Sequence, residues 1–215
     1  RTNRTKTAEF DIRGHRNWMT QSISWQTVED RRKFLRETFA PEKSAENNWL
    51  KDYNGDGSHD WRDLTVHKEE IWKVIDTDGD GIADKAVMTI SDFHDEITDV
   101  GHGVLVRDRD AFVTLAPDLW KLEDTNGDGN WDKKTSLVHG YGVHIGFSGH
   151  GMSNPIEGPD GKIYWNIGDI GSHVTTKDGV VHDRSNEGTI SRINPDGTGF
   201  EVFAGGIRNM HGVVF

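Results

Sequence analysis

Three stretches of the sequence place side-chain oxygens at alternating positions ahead of a glycine. They are Asp52-x-Asn54-x-Asp56-Gly57-x-x-Asp60, Asp76-x-Asp78-x-Asp80-Gly81-x-x-Asp84 and Asp124-x-Asn126-x-Asp128-Gly129-x-x-Asp132. Oxygen ligands at the first, third, fifth and ninth positions, with glycine at the sixth for a sharp turn, wrap a hard cation. The carbonyl of the seventh residue adds another ligand. Without a cation so many carboxylates in one turn repel each other. Asp63 stands at the twelfth position of the first loop, whereas Val87 and Thr135 stand there in the second and third. The latter two therefore need water or a distant carboxylate to complete a shell. Taken singly, each loop also reads as a solvated Asp-Gly turn. Three copies favour calcium in a structural role, and with it a calcium-rich periplasmic or extracellular compartment.

A second set of residues suited to chemistry is histidine between glycines. Gly101-His102-Gly103 and Gly149-His150-Gly151 lie 48 residues apart, the same offset that separates the loops starting at Asp76 and Asp124. Met210-His211-Gly212 is a third version at a longer interval. Two features sharing one period mark an internal repeat, and a strand-rich repeat of roughly 40–50 residues suggests a β-propeller blade. If each motif opens the innermost strand of a blade, His102, His150 and His211 converge at one mouth of the central channel. A lone histidine is more often a hydrogen-bonded packing residue; three at matching positions point to a site. His139 and His144 lie close enough in sequence to suggest a transition-metal cluster, although their spacing fits no zinc pattern. Asp169 follows a strand candidate, and Arg208-Asn209 precedes the strand expected at His211. Arg208 offers a planar fork for carboxylates; as a bland alternative, Asp169 caps a turn and Arg208 forms a surface ion pair.

The elements that must position these residues read as follows. Thr27 with Asp30 forms a capping box ahead of a helix over Val28–Ala40, which carries Phe34, Leu35 and Phe39 on one face and stops at Pro41. A second short helix is expected over 45–51, and the basic start Arg1-Thr-Asn-Arg-Thr-Lys6 reads as loose. From about residue 70 the pattern turns to strands. Ile71–Ile75 and Leu119–Glu123 are near copies that each run into an acidic loop. Ala111–Leu115, Lys162–Ile167, Thr189–Ile193 and Phe200–Ala204 are further strands, with hairpin turns at Asp160-Gly161 and Asp196-Gly197. The expected architecture is all-β: a partial β-propeller of about three blades of a six-bladed ring over 51–215, after an N-terminal segment, 1–50, with one or two helices. The Gly212-Val213-Val214-Phe215 end lies in an apolar run, so the chain reads as a piece of a longer protein.

The stretch from Gly149-His150 through Gly158-Pro-Asp-Gly-Lys-Ile-Tyr-Trp-Asn-Ile-Gly-Asp169, with Gly206-Ile-Arg208-Asn209, resembles the core of the glucose/sorbosone dehydrogenase propellers, which use pyrroloquinoline quinone (PQQ). The whole chain, with its calcium loops and Gly140-Tyr-Gly-Val-His-Ile-Gly-Phe147, is more similar to the large membrane-bound dehydrogenases of planctomycetes and related bacteria. The resemblance implies that His150 is a base taking the proton from a substrate hydroxyl and that Asp169 orients it. It implies that Arg208 and Asn209 hold the quinone; His102 and His211, which the repeat places at the same channel mouth, are expected beside it. It also implies a sugar or alcohol substrate and a cytochrome c electron acceptor. In the soluble enzymes an acid precedes the histidine and an amide follows it, whereas both neighbours here are glycine. The later basic residues of the quinone site would lie beyond Phe215.

Composition sets the outer bounds. The 215 residues carry 25 Lys and Arg against 36 Asp and Glu, a formal charge of −11, which argues against a nucleic-acid partner. Eleven acids sit in the three loops (Asp52, Asp56, Asp60, Asp63, Asp76, Asp78, Asp80, Asp84, Asp124, Asp128 and Asp132), equal to the whole excess. No apolar run approaches the ~20 residues of a membrane span, and the absence of cysteine removes thiolate chemistry. The alternatives to an oxidoreductase are a non-catalytic calcium-stabilised propeller for binding or scaffolding, and a calcium-dependent lactonase-like hydrolase. The hydrolase would need carboxylates converging in the channel, where histidine and arginine are expected.

Overall fold

The computed structural model describes residues 12, 14–146 and 149–215. The basic start Arg1–Lys6 and Phe147 fall outside the described residues. A short helical turn leads into α1 (Met19–Ser22), and α2 (Val28–Thr38) follows. The capping box forms as expected: Thr27 Oγ1 accepts from Asp30 N at 3.3 Å, and Asp30 Oδ2 accepts from Thr27 N at 2.9 Å. The helix ends at Thr38, two residues before the expected Ala40, with Phe39 as its C-cap. Pro41 then opens a 3-10 turn, Pro41–Lys43. The helix expected over 45–51 does not form; that stretch is a run of turns, held where Asn47 Nδ2 donates to Thr38 O at 2.9 Å.

The apolar face of α2 does not form a core with the N-terminal residues alone. Phe34, Leu35 and Phe39 pack with Trp18, Trp25 and Leu50, but also with Leu64, Ile97, Val143 and Ile145 from the strand region. Charge fixes the same face. Buried Arg31 donates to Ile97 O at 2.5 Å, Arg32 grips Asp95 with two bonds at 2.5 and 2.9 Å, and Arg36 reaches Glu96 at 2.5 Å. Burial pushes the Asp95 carboxyl up, but its hydrogen bonds, including those from Arg32, outweigh that and hold it well below the usual carboxylate range.

The rest is β-structure in several antiparallel sheets, none of them closed. β1 (Glu69–Ile75) and β2 (Lys85–Phe93) form a two-stranded ribbon. β3 (Gly103–Arg107), β4 (Asp110–Leu115), β5 (Asp118–Glu123) and β6 (Lys133–His139) follow as a four-stranded meander in chain order. β7 (Ser153–Glu157), β8 (Ile163–Ile167), β11 (Gly188–Ile193) and β12 (Glu201–Ile207) make a second four-stranded sheet. The hairpin β9 (Ser172–Thr175)–β10 (Val181–Arg184) is inserted between β8 and β11. The other expected strands appear within a few residues of their ends, and both Asp-Gly turns close hairpins, with Gly161 and Gly197 in the left-handed region. The strand expected at His211 does not form, because Met210 O accepts from the Asn166 and Ser153 side chains and joins no strand ladder. The β9–β10 insertion, with alternating His, Asp and Arg among few apolar residues, had no sequence expectation.

The register defines two rims. The pairs Gly103↔Thr114, Leu115↔Asp118 and Asp118↔His139 line one end of the first meander; Arg107↔Asp110 and Glu123↔Lys133 line the other. The second sheet sits alongside it in the same sense. A Cβ on Gly103 would stand 2.5 Å from Pro155, and Arg107 Nε lies 3.2 Å from Glu157. The apolar layer between the sheets includes Phe112, Leu119, Ile163 and Trp165.

Gly171, between β8 and β9, shows how tightly the backbone is packed. Its φ is +73°, and an added Cβ would lie 1.9 Å from the carbonyl oxygen of Ser185. Backbone cannot yield as a side-chain tip can. Gly171→Ala is therefore expected to lower unfolding free energy by about 3 kcal/mol or more, from left-handed strain plus the clash. Urea denaturation followed by tryptophan fluorescence checks this; a change below about 1 kcal/mol would contradict it.

Candidate functional site

The second and third acidic loops occupy the rim away from the histidine motifs; the first lies ahead of β1, whose first residue Glu69 approaches Gly101. The second joins β1 to β2, the third joins β5 to β6, and the first precedes the 3-10 turn Trp61–Thr65. All three share one backbone conformation, with paired left-handed glycines at Gly55 and Gly57, Gly79 and Gly81, and Gly127 and Gly129. In each, the first aspartate accepts from both glycine amides: Asp52 at 2.6 and 2.9 Å, Asp76 at 2.7 and 2.8 Å, Asp124 at 2.7 and 3.0 Å. These bonds hold the Asp76 carboxyl below its ordinary range.

The loops then differ. In the second, Asp76, Asp78 and Asp84 bring ligand oxygens within 4.8 Å of one another, all exposed; among the described residues this is the group gathered tightly enough for a metal ion. In the first and third, asparagine replaces the second aspartate. Asn54 Nδ2 donates to Asp56 at 3.1 Å, and Asn126 Nδ2 donates to Asp128 at 3.3 Å. Asp60, at the ninth position of the first loop, is fully buried and gripped by Arg62 at 2.9 and 2.6 Å. Those bonds hold its carboxyl far below the usual range. Asp63, at the twelfth position, spends both oxygens on the amides of Tyr53, Asn54 and Asp60. Arg62 thus sets a positive charge against Asp56 and Asp60 of the first loop. Asp80 accepts from Ile82 N at 2.7 Å, and Asp132 takes the Thr125 hydroxyl at 2.9 and 3.0 Å.

The opposite rim gathers the other candidates. Gly103 opens β3 directly after His102, and His150 lies three residues ahead of β7. A Cβ on Gly151 would sit 3.5 Å from the His102 ring, and one on Gly149 would sit 3.4 Å from His211 Cε1. His102 and His211 therefore flank the 149–151 segment that carries His150. Buried His150 aims Nδ1 at Asp169 Oδ1, 2.5 Å away, and Arg208 Nε stands 3.5 Å from Asp169 Oδ2. Backbone fixes this trio. Gly168 N donates to His150 O and Asp169 N donates to Arg208 O, both at 2.9 Å. A Cβ on Gly168 would meet both carbonyls at 2.7 Å, so three chain segments cross where only glycine fits. Asn166 Nδ2 donates to Met210 O at 2.7 Å and holds the Arg208–His211 turn down. Asn209, His102 and His211 are exposed.

A carboxylate facing Nδ1 keeps the proton there and makes Nε2 the basic nitrogen. The arrangement can accept a proton from a hydroxyl at Nε2, with Arg208 beside it to bind negative charge. His139 and His144 do not share a site. His139 Nδ1 faces Asp118 at 2.9 Å, whereas buried His144 faces Ser22 O at 2.6 Å under the N-terminal segment. Burial lowers the His144 pKa, which keeps the ring neutral near pH 7.

A family model for DUF7133, a domain of unknown function, matches residues 42–215. The chain belongs to that family. No curated protein and no solved structure matches it. The DUF7133 region begins after α2 and contains the three loops, all the strands and both rims. α2 lies outside it, yet packs on Leu64, Ile97, Val143 and Ile145 within it. Among the described residues, no helix is long and apolar enough to cross a membrane.

Proposed function

We propose that this chain forms two full blades and the outer half of a third in an incomplete β-propeller, and that its histidine rim is the proton-abstracting site of a PQQ-type dehydrogenase acting on a sugar or alcohol. The observation that carries the reading is the His150–Asp169–Arg208 trio, with His102 and His211 on either side of it. In the repeat, β1–β2 corresponds to β5–β6, with the same acidic loop between the strands.

The exposed groups fit a planar quinone bearing carboxylates. Arg208 turns Nε toward Asp169 while 78% of its side chain stays exposed, so its fork faces solvent. Asn209, His102 and His211 add donors around it. When bound, the quinone would supply the two-electron acceptor. The chain's own part is narrower. Asp169 holds the imidazole tautomer, His150 takes the hydroxyl proton at Nε2, and the crossing at Gly168 keeps the two in place.

Calcium in the second acidic loop would brace the β1–β2 ribbon from the far rim. That role accords with a periplasmic or extracellular setting, and a cytochrome c would suit as electron acceptor. The test is to load the intact protein with PQQ and calcium and to follow dye reduction with a panel of sugars and alcohols. Reduction that needs both quinone and substrate is expected. No bound quinone and no turnover with any substrate would sink the reading in favour of a non-catalytic calcium-stabilised scaffold.

A further inference from the structure

A cavity of about 480 Å³ opens on the same rim as the histidines, but on the outer strands of the first meander, and the proposed function does not use it. Its walls include Asp92, Asp95, Pro117, Asp118, Trp120 and His139. The volume lies in the range that holds small-molecule ligands. Asp118 and His139 are direct partners in the β5–β6 register. Asp118 is buried, and its Oδ1 accepts from Ser136 Oγ at 2.6 Å while facing His139 Nδ1 at 2.9 Å. This repeats the carboxylate-oriented imidazole of His150 and Asp169. His139, however, is half-exposed and lines the cavity, while its Nδ1 is engaged by Asp118.

The charges around the cavity are already matched inside the protein. Asp95 is gripped by Arg32, Asp92 is 2.9 Å from Lys134 Nζ, and Asp118 faces His139. Lys134 lies 5.0 Å over the Trp120 ring and 4.7 Å over Phe93. An ionic ligand would compete with one of these pairs, and at Asp118, the buried carboxylate among them, the exchange would leave a buried charge unpaired. A neutral ligand needs no such exchange. Polar groups beside the apolar surfaces of Pro117 and Trp120 suit a molecule whose hydroxyls alternate with C–H faces.

We infer that this cavity is a second ligand site, which binds a small neutral polyhydroxyl molecule through the His139–Asp118 pair and the wall formed by Trp120. Asp118 positions the imidazole, and His139 Nε2 makes the hydrogen bond to a ligand hydroxyl. The hydrogen bond to Asp118 raises the His139 pKa, which favours the protonated ring, whose Nε2 donates. The site stands apart from His150 and does not depend on quinone chemistry.

The test titrates the whole chain with myo-inositol, sorbitol, glucose and maltose, and follows the His139 and Trp120 side-chain signals by heteronuclear NMR. The His139 signal is assigned from its loss in His139→Gln. Saturable shifts at both residues are expected with at least one polyol, and none with tetramethylammonium or inorganic phosphate. His139→Gln should weaken binding roughly tenfold, the cost of one hydrogen bond. Asp118→Asn should weaken it too and lower the His139 titration midpoint, whereas His150→Gln should leave it unchanged. Absence of a saturable shift with every polyol overturns the proposal. Shifts confined to the charged probes overturn its ligand class. Binding that disappears with His150→Gln would belong to the other site and would overturn it as well.

Discussion

Chelating calcium from the intact protein is expected to lower its melting temperature by roughly 5–11 °C. A ligand that binds only the folded state, present at a hundredfold excess over its dissociation constant, stabilises by about 2.7 kcal/mol. For a chain of this size each kcal/mol is worth about 2–4 °C. The second loop should dominate the effect. Asp76, Asp78, Asp80 and Asp84 crowd one exposed turn, and no asparagine amide links its third and fifth positions. The first and third loops relieve the same crowding internally, through Asn54 on Asp56 and Asn126 on Asp128, and the first adds Arg62 on Asp60. Asp78→Asn should therefore shrink the chelator-sensitive part of the melting temperature, and it should raise the melting temperature measured in chelator. Calorimetry with and without EGTA, with magnesium as the control cation, reads both. A melting temperature indifferent to chelation would remove calcium from the account and leave the loops as Asp-Gly turns.

The loops also show how far local sequence reaches. Their shared conformation was legible because every part of it is local: the aspartate, the glycine amides it caps and the two left-handed glycines lie within six residues. The capping box at Thr27 and the Asp-Gly hairpins are legible for the same reason. Asp60 and Asp63 fit the ligand spacing equally well, yet the structure spends them on Arg62 and on backbone amides. The spacing does not show that a neighbouring guanidinium will reach the ninth position first. The 48-residue repeat located His102 and His150 at equivalent places, and their approach follows from the β3 and β7 starts lying side by side. The pairing of Asp118 with His139 was not legible. It depends on β5–β6 register across the third loop, including a bulge between Leu119 and Trp120. Likewise the helix expected over 45–51 gave way to turns: its backbone bonds, such as Asn47 N to Ser44 O and Leu50 N to Asn47 O, stay isolated, while Asn47, Ser44 and His59 also bond across the stretch.

If the histidine rim abstracts a proton, Asp169→Asn should disable it as thoroughly as His150→Gln. The reason is the tautomer. At 2.5 Å from Nδ1, the Asp169 carboxylate can only accept, so the imidazole proton stays on Nδ1 and Nε2 is basic. An amide in its place can turn its NH₂ toward Nδ1, which draws the proton onto Nε2 and converts the base into a donor. Both variants should lose turnover by about 10²–10⁴-fold, the usual contribution of a positioned general base, with KM little altered. Asp169→Glu keeps the acceptor and should recover part of the rate, which a merely structural role for Asp169 would not predict. Arg208→Gln should act differently. Arg208 touches Asp169 only through Nε at 3.5 Å and is otherwise exposed, so its loss should raise the quinone concentration needed for activity and leave saturated turnover nearly intact. Steady-state rates on quinone-loaded protein, measured across pH, separate these outcomes. Equal and small losses in all four variants would show that the trio only ties three chain segments together at Gly168, and the rim would then be a structural seam and not a reaction site.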